Sequence, residues 1–162
     1  MDFVWASNGN YAVRDAFKIK VFKSSDQFLL SIVPDFKLEK LFGGHLLCVK
    51  SKDFVVFYDW ARARVIRRID VSPTKIIWSD NGSMVAIITP DGTFLLHYNH
   101  EQVEEYLNSN DAAEGDEGFS DAFDVVSELQ DTVISGLWIH DCFFYTNAKG
   151  KLNYSVGKKV FT

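Results

Sequence analysis

Apolar and polar positions alternate in short runs along the whole chain, and Gly, Asn, Asp and Ser punctuate the runs. This is the patterning of strands joined by turns rather than of long helices. Four stretches share a further signature: "FVWASNGNYAVRD" from Phe3, "KLFGGHLLCVKS" from Lys40, "IIWSDNGSMVAII" from Ile76 and "GLWIHDCFFYTNA" from Gly136. Each has a few apolar residues, an aromatic (Trp5, Phe42, Trp78 or Trp138), a short turn and a second apolar strand. The aromatics are 37, 36 and 60 residues apart. Two near-equal spacings announce an internal repeat, and the long third one predicts an insertion of about 24 residues in the third unit.

Two more strands complete each unit. After the first pair come "FKIKVFKS" and "FLLSIV"; after the second, "FVVFYDW" and "RVIRRID"; after the third, "GTFLLHY" and "AFDVVSE"; after the fourth, "LNYSVG" and "KKVFT". Four short strands repeated at just under the usual roughly 40–45 residues is the pattern of a propeller blade. In "FVVFYDW" both faces are mostly apolar, as blades packed face to face require, whereas "RVIRRID" carries Arg64, Arg67 and Arg68 around an exposed outer strand. Tyr58-Asp59 stands where WD repeats carry Trp-Asp, with Asp59 capping the turn. Asn81-Gly82 and Asp91-Gly92 predict two-residue type I′ hairpins, and Gly9 and Gly150 mark further turns. A small β-sandwich is the alternative, and the constant period disfavours it.

The expected fold is therefore all-β: a WD-repeat-type β-propeller with about four blades of an incomplete propeller, plus one short helix and an acidic loop inserted in the third blade. The blades run over approximately 3–33, 39–70, 75–128 and 134–162, with the insertion over 100–121. Trp5, Phe42, Tyr58, Asp59, Trp78 and Trp138 are the expected core or turn residues. The chain starts in a strand and stops at "KKVFT", which predicts a segment of a longer propeller. Its open blade faces would then be surfaces for self-association.

Within the insertion, Val103, Tyr106 and Leu107 fall at i, i+3 and i+4 and predict a short amphipathic helix in "HEQVEEYLNSN". "DAAEGDEGFSD" reads as a solvated acidic loop. Glu104, Glu105, Glu114, Asp116 and Glu117 are the candidate receivers of a basic peptide. The competing reading is a loop that only keeps the surface soluble.

Charge sharpens this picture. The net charge is −5. Residues 1–75 carry 13 basic and 8 acidic side chains, residues 76–148 carry 14 acidic and none basic, and the last 14 residues carry four lysines and no acid. Apolar residues make up 47% of the chain, which is enough for a packed core. No apolar run reaches the roughly 18 residues of a membrane span, and "MDFVWASNGN" lacks the pattern of a secretory signal. Cys48 and Cys142 lie in apolar runs and read as buried free thiols of a reducing compartment. The sequons at Asn81 and Asn153 then read as chance matches.

Enzymatic motifs are absent: there is no G-x-G-x-x-G, P-loop, H-E-x-x-H or G-x-S-x-G. His140, Asp141 and Cys142 are adjacent but straddle a predicted hairpin turn, so they point apart and lack a third ligand. His97 and His100 have no matching ligand pair and read as surface residues. The arginines of "RARVIRR" form a local patch in an acidic chain without a stacking platform, against a nucleic-acid role. No cofactor or metal is implied.

The stretches "FVWASNGNYAVRD", "PDF" at Pro34, "LFGG" at Leu41, "FYDW" with "VIRRI", "IIWSDNG", "SDAF" at Ser120, "GLWIHDCFFYT" and "LNYSVG" occur in order along nearly the whole chain. Jointly they resemble the second propeller and adjoining WD-associated region of the coatomer β-prime family. "FLLSIVPDF" looks less like that family than its neighbours do. The resemblance implies a non-enzymatic scaffold of the vesicle coat, assembling with the α and ε subunits. It also implies a cytoplasmic location, peripheral on Golgi membranes and COPI vesicles, in Golgi-to-ER and intra-Golgi transport. Dilysine cargo recognition belongs mainly to the family's first propeller, which is absent here, so no cargo-binding residue is carried over.

Overall fold

The computed structural model describes residues 2–109 and 117–162. Short strands form where the apolar runs sit. The first sheet joins β1 (Phe3–Trp5), β2 (Tyr11–Arg14), β3 (Ile19–Phe22) and β4 (Phe28–Ile32). The second joins β5 (Lys40–Phe42), β6 (Leu47–Lys50), β7 (Val55–Tyr58) and β8 (Val65–Ile69). The third joins β9 (Lys75–Trp78), β10 (Met84–Thr89), β11 (Gly92–Tyr98) and, beyond helix α1 (His100–Asn108), β12 (Phe123–Leu129). The fourth joins β13 (Val133–Ile139), β14 (Cys142–Asn147), β15 (Leu152–Val156) and β16 (Lys159–Phe161). In each sheet the spatial order follows the chain and neighbours are antiparallel. These are four propeller-type blades. A register shift recurs between the third and fourth strands of blades one, two and three. Such bulges bend a strand and increase its twist, so the same device shapes three outer edges.

The blades fall into two compact units, divided at Ser72/Pro73, Gln102/Val103 and Ser120/Asp121. The first unit holds blades one and two with most of the described insertion. Ala12, Ile19 and Val21 of blade one pack with Leu41, Leu47, Val49, Val56 and Tyr58 of blade two. A seam of backbone bonds joins the two blades. Gly44 N–H donates to Trp5 O at 2.9 Å, and Ser7 N–H donates to Gly44 O at 3.2 Å. A Cβ on Gly43 would stand 2.2 Å from Trp5 O, so only glycine permits this approach. Beside the seam, Asp2 accepts from Arg14 Nε at 2.9 Å and from Leu41 N–H at 3.0 Å.

In the second unit, Met84, Ala86, Ile88 and Leu95 of blade three pack with Val133, Trp138, Phe143 and Tyr145 of blade four. β10 is buried along its whole length. Its position between β9 and β11, with both faces covered, explains its unbroken apolar sequence. Gly136 leaves room for the Phe143 ring: a Cβ there would lie 2.4 Å from Cζ.

Two turns differ from the sequence expectation. Thr89 pairs directly with Gly92, so the hairpin loop is Pro90-Asp91 and Gly92 opens β11. Proline holds φ near −65°, which a type I′ turn cannot accommodate. At the other site Gly82 has φ 76° but Asn81 is not at positive φ. Asn81 works through its side chain, whose oxygen accepts from the Ser79 hydroxyl and the Ser83 N–H, both at 3.0 Å. Cys48 is fully buried, but Cys142 is only half-buried.

Candidate functional site

The structure distributes the six expected core or turn residues unevenly. Trp138 is 8% exposed, and its indole N–H donates to Ile77 O of blade three at 3.0 Å. Phe42 and Tyr58 are buried. Trp78 is half-buried, edge-on to Tyr98. Asp59 Oδ2 accepts from Arg62 N–H at 2.8 Å and closes a turn in which Ala63 takes φ 57°. Trp5 departs from the expectation of a core residue, being 55% exposed. It lies on the outward face of blade one, in a ladder of rings with Phe3 and Tyr11, while the other face of the same sheet supplies the core. Sequence reasoning missed Trp60, next to the Tyr-Asp pair. Its indole N–H donates to Gly44 O at 3.0 Å, tying the Asp59 turn to the inter-blade seam.

Most of the expected acidic loop, residues 110–116, lies outside the described residues, and the described parts of the insertion pack on the first unit. Val103, Tyr106 and Leu107 are the buried residues of α1. Beyond the helix, the chain from Glu117 to Phe119 runs antiparallel to β8 of blade two. Arg68 N–H donates to Glu117 O at 2.9 Å, and Phe119 N–H donates to Ile66 O at 2.7 Å. Gly118 at this crossing has φ 80°. Tyr106 and Phe119 stack with centroids 4.7 Å apart. An insertion from blade three thus covers the open edge of blade two, which would otherwise present unpaired backbone groups.

This placement sorts the arginines. Arg62 faces Glu104 at 4.0 Å and Arg67 faces Glu117 at 3.9 Å. Glu105 is exposed on α1, and Glu114 and Asp116 lie outside the described residues. Arg64 donates to Leu107 O at 2.9 Å and sits over the Tyr106 ring, 5.1 Å from its centroid. Arg68 sits 3.9 Å from the Phe54 centroid and pairs with Asp70 at 3.0 Å. Arg64 and Arg68 line a cleft of ≈ 580 Å³ together with Phe36, Phe54, Tyr58 and Tyr106, and Asp35 stands at its mouth. Burial, with a smaller contribution from the Asp35 carboxylate, pushes the Tyr58 hydroxyl up to about 12. The phenol therefore stays neutral and able to donate.

His140 and Asp141 form the two-residue loop between Ile139 and Cys142, with His140 at φ 52°. Among the described residues no group of three or more His, Cys, Asp or Glu side chains is placed to hold a metal ion.

The comparisons with known proteins decide the family. The family model described as the COPA/B second beta-propeller matches residues 1–162. The chain belongs to the COPA/B second β-propeller family. Coatomer subunit beta'-1 of Oryza sativa subsp. japonica is 44% identical over 163 residues, covering 100% of this chain and 18% of the relative. Coatomer subunit beta' of Mus musculus is 41% identical over 165 residues, again covering 18% of the relative. The chain thus spans about a fifth of the length of these coatomer relatives. Among solved structures, the WD40 domain of SCAP from fission yeast matches with a TM-score of 0.62 at 10% identity, over 99% of this chain and 44% of that one. A KlHsv2 variant with loop 6CD replaced by a Gly-Ser linker matches with a TM-score of 0.59 at 10% identity, over 96% of this chain and 48% of that one. At that identity the likeness shows the fold, a WD-repeat-type propeller of which this chain supplies part.

Proposed function

We propose that this chain is a non-enzymatic scaffold segment of a coatomer β-prime-type subunit, acting in Golgi-to-ER and intra-Golgi transport. The observation that carries the reading is the match to coat subunits at 40–44% identity along the full chain. The Gly43-Gly44 seam, the Trp60 and Trp138 hydrogen bonds and the strap on β8 support it, because they are devices of rigidity. A rigid joint is what a coat lattice needs from a propeller. The α and ε coat subunits are the expected partners. The location is cytoplasmic, peripheral on Golgi membranes and coated vesicles, and no cofactor or nucleic acid takes part. The exposed apolar faces of blades one and four suit packing against further blades of the same polypeptide, and an isolated chain would self-associate through them.

The other reading makes the acidic insertion a receiver of basic cargo tails. It has less support, because Glu104 and Glu117 already face arginines of blade two. Dilysine peptides titrated at low salt would revive it only if they bind and the binding weakens steeply as salt is added. For the scaffold reading, the test is microscopy of the tagged full-length polypeptide in cells with a Golgi marker. Overlap on Golgi membranes and small vesicles is expected; a uniformly diffuse signal would overturn it.

A further inference from the structure

We propose that the cleft on the outer rim of blade two receives an acidic linear segment of a partner protein. A bulky apolar side chain packs on the wall formed by Phe36, Phe54 and Tyr106, and a neighbouring carboxylate pairs with Arg64 or Arg68. The proposal does not depend on the coat reading.

The charge pattern points to the occupant. "RARVIRR" concentrates four arginines in seven residues, and the fold separates them into two pairs. Arg62 and Arg67 face the insertion's own glutamates. Arg64 and Arg68 line the cleft instead. Each has its guanidinium over an aromatic ring, Arg64 5.1 Å from the Tyr106 centroid and Arg68 3.9 Å from the Phe54 centroid. The in-plane N–H donors are the part that binds a carboxylate in bidentate fashion, and Arg64 commits one nitrogen to Leu107 O. Arg68 already pairs with Asp70, but Asp70 is exposed and Arg68 half-exposed, and a surface pair of this kind is readily exchanged. Asp35 at the mouth leaves the lining with two cations against one anion, a balance that still favours an acidic ligand over a basic one.

The shape points to a chain rather than to a small enclosed ligand. The volume of ≈ 580 Å³ lies within the roughly 300–1,000 Å³ of ligand pockets. Its mouth carries exposed Asp35 and half-exposed Arg68, so an occupant keeps one side in water. That suits a side chain projecting from a peptide that crosses the rim. The β8 edge beside it is taken by Glu117–Phe119, so the occupant docks through its side chains rather than by adding a strand.

The test is selection of a random dodecapeptide phage library on the immobilised full-length polypeptide, in parallel with an Arg68→Glu variant. A thermal melt checks that the variant folds, with Arg68→Gln as the substitute if it does not. Enrichment of sequences combining a bulky apolar residue with Asp or Glu is expected. The selected peptides should bind at least tenfold more weakly to the variant and lose affinity as salt rises. No enrichment, enrichment of basic sequences, or acidic peptides that the variant binds equally well would overturn the proposal. Phosphatidylserine vesicles form a further arm: vesicle binding that Arg68→Glu abolishes, without peptide enrichment, would replace the peptide by a membrane surface and refute it.

Discussion

Trp138 offers a direct test of how blades three and four are held together. Its ring is buried against Phe143, with centroids 4.9 Å apart, and its N–H reaches the Ile77 carbonyl across the blade boundary. Trp138→Ala removes the ring and leaves a cavity, a change that costs about 3–5 kcal/mol in a core. Trp138→Phe keeps most of the volume but leaves the Ile77 carbonyl without its donor. A lost hydrogen bond of this kind costs about 1–2 kcal/mol. The two variants therefore separate packing from hydrogen bonding. Native-state hydrogen exchange reads each locally, at the β9–β10 and β13–β14 amides. Since about 1.4 kcal/mol is tenfold in an equilibrium constant, Trp138→Ala should speed exchange there by roughly two to four powers of ten. Trp138→Phe should speed it by about one power of ten. Trp78→Ala should cost less than Trp138→Ala, because Trp78 is only half-buried. The reasoning fails if Trp138→Ala changes exchange by less than about fivefold, or if Trp138→Phe is as damaging as Trp138→Ala.

Three further outcomes are expected. Gly118→Ala places a Cβ 2.5 Å from Ile66 O at a residue with φ 80°, so the strap should leave β8. Exchange at the Arg68 and Phe119 amides should then rise at least tenfold while blade four is unaffected; unchanged protection at those two amides would refute the pairing. Glu104→Gln removes a surface pair at 4.0 Å and should cost less than about 0.5 kcal/mol in a thermal melt, whereas a loss above about 1 kcal/mol would mean the pair anchors the insertion. The Tyr58 hydroxyl is raised from 10.0 to about 12, so the folded state holds that proton more tightly than the unfolded state. Its contribution is fully present below pH 10 and is lost as pH climbs towards 12. Melting temperatures should fall across that window, and less steeply in Tyr58→Phe; identical slopes would contradict the cause.

Much of the fold was legible because it rests on local rules. The strand alternation, the aromatic before each turn and the spacing of 36–37 residues reflect a unit that repeats its own packing. Legibility ended where a residue's fate depends on something distant. Trp5, Trp78 and Trp138 sit at equivalent repeat positions, yet Trp138 is buried and Trp5 is exposed, because burial depends on which blade stands opposite. Asp91-Gly92 looked like a turn signal until Pro90, which fixes the backbone, moved the loop back by one residue. In the insertion the helical face of Val103, Tyr106 and Leu107 is legible, and composition alone marks the stretch after it as solvated. Its docking depends on a pairing between Glu117–Phe119 and β8, some fifty residues away in the chain, and neither segment announces the other. The four arginines were legible as a patch, but not their division into one pair facing the insertion's glutamates and one pair lining the cleft.

The most direct test of the scaffold account is a comparison of two affinity purifications. The full-length polypeptide and a version lacking residues 1–162 are tagged, purified from cells and analysed by mass spectrometry for retained proteins. The account predicts that the intact polypeptide brings down other coat subunits and that the deletion loses some of them, the losses naming the partners of this propeller. An intact polypeptide that retains no coat subunit would contradict it.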